Sequence, residues 1–458
     1  MIKLCLALLL VCAPALSAVT ITEQTSVYQY RNNSNIGTSP SWDACRADNI
    51  KRAQAEKLTS GTVTYDCRGE RRQVIAKYSP NPTTPPPASV FGVSVSGNKL
   101  IDGSGKTLQL RGVNVSGLEF VAIQNWSASD PWGGQVPNLA AIRAWKANAV
   151  RFPLNQASWL GQTCKDAKSG ALRKADPGSN YQATVRKAVA DAIASGMYVI
   201  LDLHMSAPGT YCPMIQNTMA DADNSLAFWN SIATAFKDQP AVIFELFNEP
   251  FVSQTQYFSG NAWQYLMKGT GGGPFTGFIE NGLQGQVNVT YTWNIASMQA
   301  MVDAVRATGA TNVVLVGGLN YAAALDGWLV NKPSDRLNQL GAVWHAYPAY
   351  GSTFGTPAAA QPNFAPQIFT QAQGILDAGI PIVITELGDR CSDGTLNSPE
   401  VTNMITWADA RNVSVLGWSW NTWYTPGAAC SNVLIKNAVG EPTDGYGKVF
   451  RDWLIAHP

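Results

Sequence analysis

The sequence predicts an α/β chain: a (β/α)8 barrel preceded by a small disulfide-containing module on a Pro/Thr linker. Three observations carry this. Past residue 90, apolar runs of strand length alternate eight times with helix-period segments. Two of those runs end in a carboxylate: Val242-Ile-Phe-Glu-Leu-Phe-Asn-Glu-Pro250 and Ile382-Val-Ile-Thr-Glu-Leu-Gly388. The stretch Asn81-Pro-Thr-Thr-Pro-Pro-Pro87 is a stiff polyproline segment that sets residues 19–79 apart from the longer C-terminal part of the chain.

Composition narrows the classes. The 458 residues suffice for one large core plus a small module, and Lys+Arg 32 against Asp+Glu 31 leaves no basic excess for nucleic acid. Lys3, the apolar run Leu4 to Val11 and the small residues Ala13, Ala15, Ser17 and Ala18 form a secretory signal over residues 1–18. It is too brief to span a membrane, and no later stretch reads as a span. The expectation is therefore a secreted, extracellular protein and a monomer.

Cys5 and Cys12 depart with the signal, leaving Cys45, Cys67, Cys164, Cys212, Cys391 and Cys430. An even count in an exported chain suggests three bridges. Proximity and domain boundaries favour 45–67, 164–212 and 391–430. Residues 19–79 hold one expected helix, Trp42–Leu58, and a strand, Gly61–Asp66; so short a segment would depend on the 45–67 staple. Its role is open between a polymer-binding module and a structural or cell-surface appendage.

The catalytic domain is taken as 90–458, after a linker at 80–89. Asn98–Leu108 reads as a hairpin turning at Asp102-Gly103 and Gly105. The expected strands are Leu108–Asn114, Ala149–Pro153, Met197–His204, Val242–Phe247, Asn312–Val316, Gly341–His345, Pro381–Glu386 and Ser414–Trp418. The clearest helices are Tyr181–Ser195, Ser225–Lys237, Ile295–Thr308, Phe364–Ala378, Glu400–Ala410 and Gly447–Ala456. A doubly wound sheet would need a glycine-rich phosphate loop after the first strand, and Gly112-Val-Asn-Val-Ser-Gly117 does not supply one.

Barrel sites form at the C-terminal ends of the strands. That rule gathers Asn114, Arg151, His204, Asn248, Glu249, His345, Tyr347, Glu386 and Trp420 on one rim. Glu249, before Pro250, and Glu386 can serve as the two carboxylates that flank a glycosidic bond. Arg151 is a permanent cation that beside Glu386 favours the ionised nucleophile; an ion pair with Asp202 is its structural alternative. Burial and the Glu386 charge would hold Glu249 as the acid. Asn248 can donate to a sugar 2-hydroxyl and Tyr347 to the nucleophile. Of the tryptophans in Gly417-Trp-Ser-Trp-Asn-Thr-Trp423, Trp420 is assigned as the sugar platform and Trp418 to the core. No HExxH or CxxC suggests a metal, so neither metal nor cofactor is expected; zinc on His204, His345 and a Glu is the rival. The long stretches Met205–Asn224 and Phe251–Trp293 would wall a cleft.

Arg151-Phe-Pro153, Leu201-Asp-Leu-His204, Phe247-Asn-Glu-Pro250, His345-Ala-Tyr347, Ile384-Thr-Glu-Leu-Gly388 and Trp418-Ser-Trp-Asn421, in this order, resemble glycoside hydrolase family 5. The resemblance covers about residues 90–458. It implies Glu249 as acid/base and Glu386 as nucleophile. Arg151, His204, Asn248, His345 and Tyr347 would surround them, with Trp420 at a sugar subsite. It implies a β-linked polysaccharide as substrate and an endo-β-1,4-glucanase as the first expectation. β-Mannanase, other β-glucan hydrolases, and exo-acting or transglycosylating enzymes share that core. From other classes, a metal-dependent hydrolase and an inactive sugar-binding barrel are the alternatives. The Phe251–Trp293 stretch and Met205-Ser-Ala-Pro208 depart from the commonest members and bear on substrate choice.

Overall fold

In the computed structural model the eight expected strands pair in parallel and close on themselves. They are β1 (Arg111–Asn114), β2 (Ala149–Asn155), β3 (Tyr198–Met205), β4 (Val242–Glu245), β5 (Val314–Val316), β6 (Leu340–Ala346), β7 (Ile382–Leu387) and β8 (Ser414–Gly417). Each pairs with the next in the chain, and β8 returns to β1. The structure describes residues 19–29, 61–67, 70–78, 91–127, 129–167, 169–251, 260–270, 274–279, 289–347, 366–389, 399–422 and 433–457. The chain divides into two units, Met1–Pro87 and Ala88–Pro458.

The helices between the strands form for local reasons. Met298–Ala307 is opened by Ser297, whose hydroxyl accepts from the Ala300 amide. It buries Met298, Met301, Val302 and Val305, one stripe at helical spacing. The expected helices are present as Tyr181–Ala194, Ser225–Phe236, Met298–Ala307, Pro366–Asp377, Pro399–Asp409 and Tyr446–Ala456. Leu139–Ala144 and Trp328–Asn331, after β1 and β5, are too short to announce themselves by periodicity.

Alternation along the strands sorts the core into two shells. Ala149, Ile200, Ile243, Leu315, Val343, Val383 and Leu416 point inward and pack together. Their neighbours Val150, Val199, Val242, Val314, Ile382, Ile384 and Val415 point outward into the helix layer. A three-stranded sheet, Val93–Ser96, Lys99–Asp102 and Thr107–Leu108, packs Val93, Val95 and Leu108 against the inner shell. The amides of Val93 and Val95 bond to Pro240 O and Gln339 Oε1, which precede β4 and β6. The floor of the barrel is thereby covered, and its C-terminal mouth is left for chemistry.

In the first unit Val19–Gln29, Glu70–Tyr78 and Gly61–Cys67 form an antiparallel sheet in that order. Two of these strands were not anticipated, although Val74-Ile-Ala76 is a short apolar run. The signal segment, the Trp42–Leu58 helix, the linker, Trp423 and the 45–67 and 391–430 bridges lie outside the described residues. The Cys164–Cys212 bridge is formed. The Phe251–Trp293 stretch is not a bare loop: it contains a helix, Ala262–Lys268, and a hairpin, Phe275–Ile279 with Val289–Trp293. Among the described residues no helix is long and apolar enough to cross a membrane.

Candidate active site

The inward positions turn polar one layer above the apolar shell. Asn114 and Arg151 are register partners on β1 and β2, and Asp202 and Glu245 on β3 and β4; all four are fully buried. Arg151 is the hub. Its guanidinium donates to both oxygens of Glu245 (2.8 and 3.0 Å), Asn114 Oδ1 (2.9 Å), Asn248 Oδ1 (2.8 Å) and Glu386 Oε1 (2.7 Å). Asp202 Oδ2 lies 2.9 Å from Nη2. The two sequence alternatives for Arg151 are thus both realised: it pairs with Asp202 and with Glu386.

Glu386 reaches this hub through a bulge. Val343 pairs with Val383 and His345 with Glu386, so β7 advances three residues where β6 advances two. The extra residue lets Thr385 and Glu386, adjacent in sequence, both turn inward. Thr385 Oγ1 donates to Glu245 Oε1 (3.1 Å) and lies 3.1 Å from His345 Nε2. Tyr347 donates its hydroxyl to the other Glu386 oxygen at 2.8 Å.

Glu249 stands beyond the end of β4, with its side chain 18% exposed, more open than expected. Its Oε1 is 2.8 Å from His345 Nδ1, and that nitrogen is 3.6 Å from Glu386 Oε2. One oxygen each of Glu249 and Glu386 and a nitrogen of His345 lie within 4.8 Å of one another. These donor types could hold a cation, but His345 already spends both nitrogens on Glu249 and Thr385.

Electrostatics follow from burial against pairing. Burial works against the charge on Arg151, but Asp202, Glu245 and Glu386 outweigh it and hold the guanidinium above its ordinary value. Burial also pulls the His345 imidazole down, yet Glu386, Glu245 and Glu249 push it up to about 10. Glu245 is lowered because Arg151 and His345 overcome its burial. His204 is lowered by burial; it sits 2.7 Å from Asp202 Oδ2 through Nδ1. Burial raises the Tyr347 phenol well above its usual range, and the Glu386 charge adds to it, so it stays a donor.

This constellation carries the signature of a known family. A model of the cellulase family, glycosyl hydrolase family 5, matches residues 101–423. The chain belongs to that family. Among curated relatives it is similar to Endoglucanase C of Evansella cellulosilytica, 25% identical over 70% of this chain and 34% of that protein. Endoglucanase Z of Dickeya dadantii is 23% identical over 73% of this chain and 61% of its own length. The chain therefore spans from about a third to three fifths of the length of these relatives. Among solved structures, the β-glucanase SdGluc5_26A from Saccharophagus degradans superposes with a TM-score of 0.54 at 21% identity, covering 81% of this chain and 97% of that one.

As a family member the chain brings together eight of the nine rim residues read from its sequence. Trp420 is the correction. It is 3% exposed, packs edge-on against Trp145 at 4.8 Å, and offers no face to a ligand. Trp418 is instead half-buried and stacks parallel to the His204 ring, centroids 5.7 Å apart. The exposures are the reverse of those expected because Trp418 continues the inward parity of Ser414 and Leu416, whereas the β8 ladder ends at Gly417. Beyond it the backbone turns, with the Trp420 amide donating to Asn114 O, and alternation no longer decides direction. Glu245 and Thr385 were missed. Their signal was a carboxylate and a hydroxyl inside otherwise apolar runs, where an unpaired polar group is costly.

Proposed function

We propose that the chain is a retaining endo-β-1,4-glucanase in which Glu249 is the proton donor and Glu386 the nucleophile. The observation that carries this is the approach of the two carboxylates to within 4.8 Å. Retaining glycosidases place their carboxyls about 5–5.5 Å apart, whereas inverting ones need about 6.5–9.5 Å for a water. Family membership and relatives named endoglucanases support the same reading.

In the first step Glu386 attacks the anomeric carbon while the leaving oxygen takes a proton from Glu249. Arg151 and Tyr347 each hold one Glu386 oxygen, so the carboxylate is oriented before substrate arrives. The resulting glycosyl ester removes the Glu386 charge that raises His345 most. His345 is then less able to hold a positive charge, and Glu249 takes the proton of the incoming water as base. Attack of that water breaks the ester and frees the sugar, leaving Glu386 ionised and Glu249 protonated as at the start. Asn248 meets the 2-hydroxyl, and Trp418 with His204 forms the aromatic wall.

A secreted monomer acting on an extracellular β-glycan completes the reading, with residues 1–18 as signal, 19–79 as a separate module and 80–89 as linker. The test is sugar release from a soluble cellulose derivative, mixed-linkage β-glucan, mannan and xylan, with viscosity followed in parallel. A rapid viscosity drop on the cellulose derivative is expected. Preference for mannan would overturn the substrate, and loss of activity with a chelator would overturn the metal-free mechanism.

A further inference from the structure

The residues just before Pro250 lie past the end of a barrel strand. β4 ends at Glu245, after which the Leu246 and Asn248 amides bond to Leu315 O and Leu203 O. Additional support reaches Glu249 and the amide beside it. That support comes from a side chain far away in sequence. Gln216 Nε2 donates to the Glu249 carbonyl oxygen at 2.8 Å, and Gln216 Oε1 accepts from Asn248 Nδ2 at 3.1 Å.

We propose that Gln216 is a positioning residue that clamps Asn248 and Glu249 as a unit and aims both at the substrate. The inference rests on the glycosidase reading above. A carboxamide has one acceptor oxygen and two N–H donors. Asn248 commits its oxygen to Arg151 and one N–H to Gln216. The amide cannot flip, and a single N–H remains to meet a sugar 2-hydroxyl. At the same time the Glu249 carbonyl, which precedes a proline, is held by the nitrogen of the same Gln216 carboxamide.

The clamp is itself anchored. Cys212, four residues before Gln216, is bridged to Cys164. Asn155 Nδ2 donates to Pro213 O (2.9 Å), Gln124 Nε2 to Met214 O (2.7 Å), and the Phe251 amide to Thr218 O (3.1 Å). Gln216 is thus held on both sides by backbone contacts that do not involve its own side chain. Removing that side chain leaves the loop in place and takes away only its two bonds to Asn248 and Glu249.

The experiment compares the parent with Gln216→Ala and with Gln216→Met, which keeps the volume and removes both hydrogen bonds. Substrates are aryl β-cellobiosides with a poor and with an activated leaving group, each with and without the 2-hydroxyl. With the poor leaving group kcat should fall about tenfold at little change in KM, as expected for lost neutral hydrogen bonds felt in the transition state. The loss should shrink with the activated leaving group, which needs no proton, and shrink again on the 2-deoxy substrates. Equal losses on all four substrates, or none on any, would overturn the role of Gln216. No turnover by the parent would instead remove the glycosidase reading itself, so the two failures are distinguishable.

Discussion

Replacing Arg151 by lysine keeps the charge and destroys the geometry, which separates the two contributions at the centre of the site. The guanidinium donates to five acceptor atoms, both oxygens of Glu245 and one each on Asn114, Asn248 and Glu386, and pairs with Asp202 as well. An ammonium has three hydrogens at one point and serves at most about three of them. Each buried acceptor left unmet costs about 1–3 kcal/mol, so the loss is at least about 2 kcal/mol. For a unit of roughly 370 residues, Ala88–Pro458, that corresponds to a fall in Tm of about 3 °C or more. Glu386 and Asn248 lose their common anchor, and displacement of about 1 Å costs about 100-fold in rate. Thermal unfolding and kcat on an activated aryl cellobioside measure both. A variant within about 1 °C and threefold of the parent would refute the hub assignment.

Glu386→Gln should abolish turnover on every substrate, whereas Glu249→Gln should still form product from an aryl glycoside whose leaving group needs no proton. Identical behaviour of the two would reverse or dissolve the role assignment. His345 lies at about 10 in the folded protein against roughly 6.5 in the unfolded chain. Because the folded value is the higher, its contribution to stability is complete below about pH 6.5 and is lost as pH rises through about 10. Tm followed across this window should fall more steeply for the parent than for His345→Asn, and parallel curves would contradict the ionised imidazole. Trp418→Ala should raise KM with little change in Tm. Trp420→Ala should instead cost about 3–5 kcal/mol of stability, the reverse of what Trp420 as platform requires.

The fold was legible because its signal is local. Alternation with period two and the helical stripe are written in consecutive residues, so all eight strands and the longer helices stand near their expected places. The strand-end carboxylates, Arg151, both rim histidines and the family membership could be read the same way, since a barrel delivers polar strand ends to one face. What had no local trace was decided by closure. The Arg151–Asp202–Glu245 layer exists because four strands meet around one axis, and the bulge that turns Thr385 and Glu386 inward together appears only in the register of β7 against β6 and β8. Trp420 is buried and Trp418 more open, the reverse of the expectation, because alternation governs a side chain only while the ladder lasts. Gln216 reaches Asn248 and Glu249 across more than thirty residues of chain. Sequence by itself determined which strands form and which chemical groups they carry; the packed barrel decided which groups touch, because hydrogen-bond partners are set by distance in space and not along the chain.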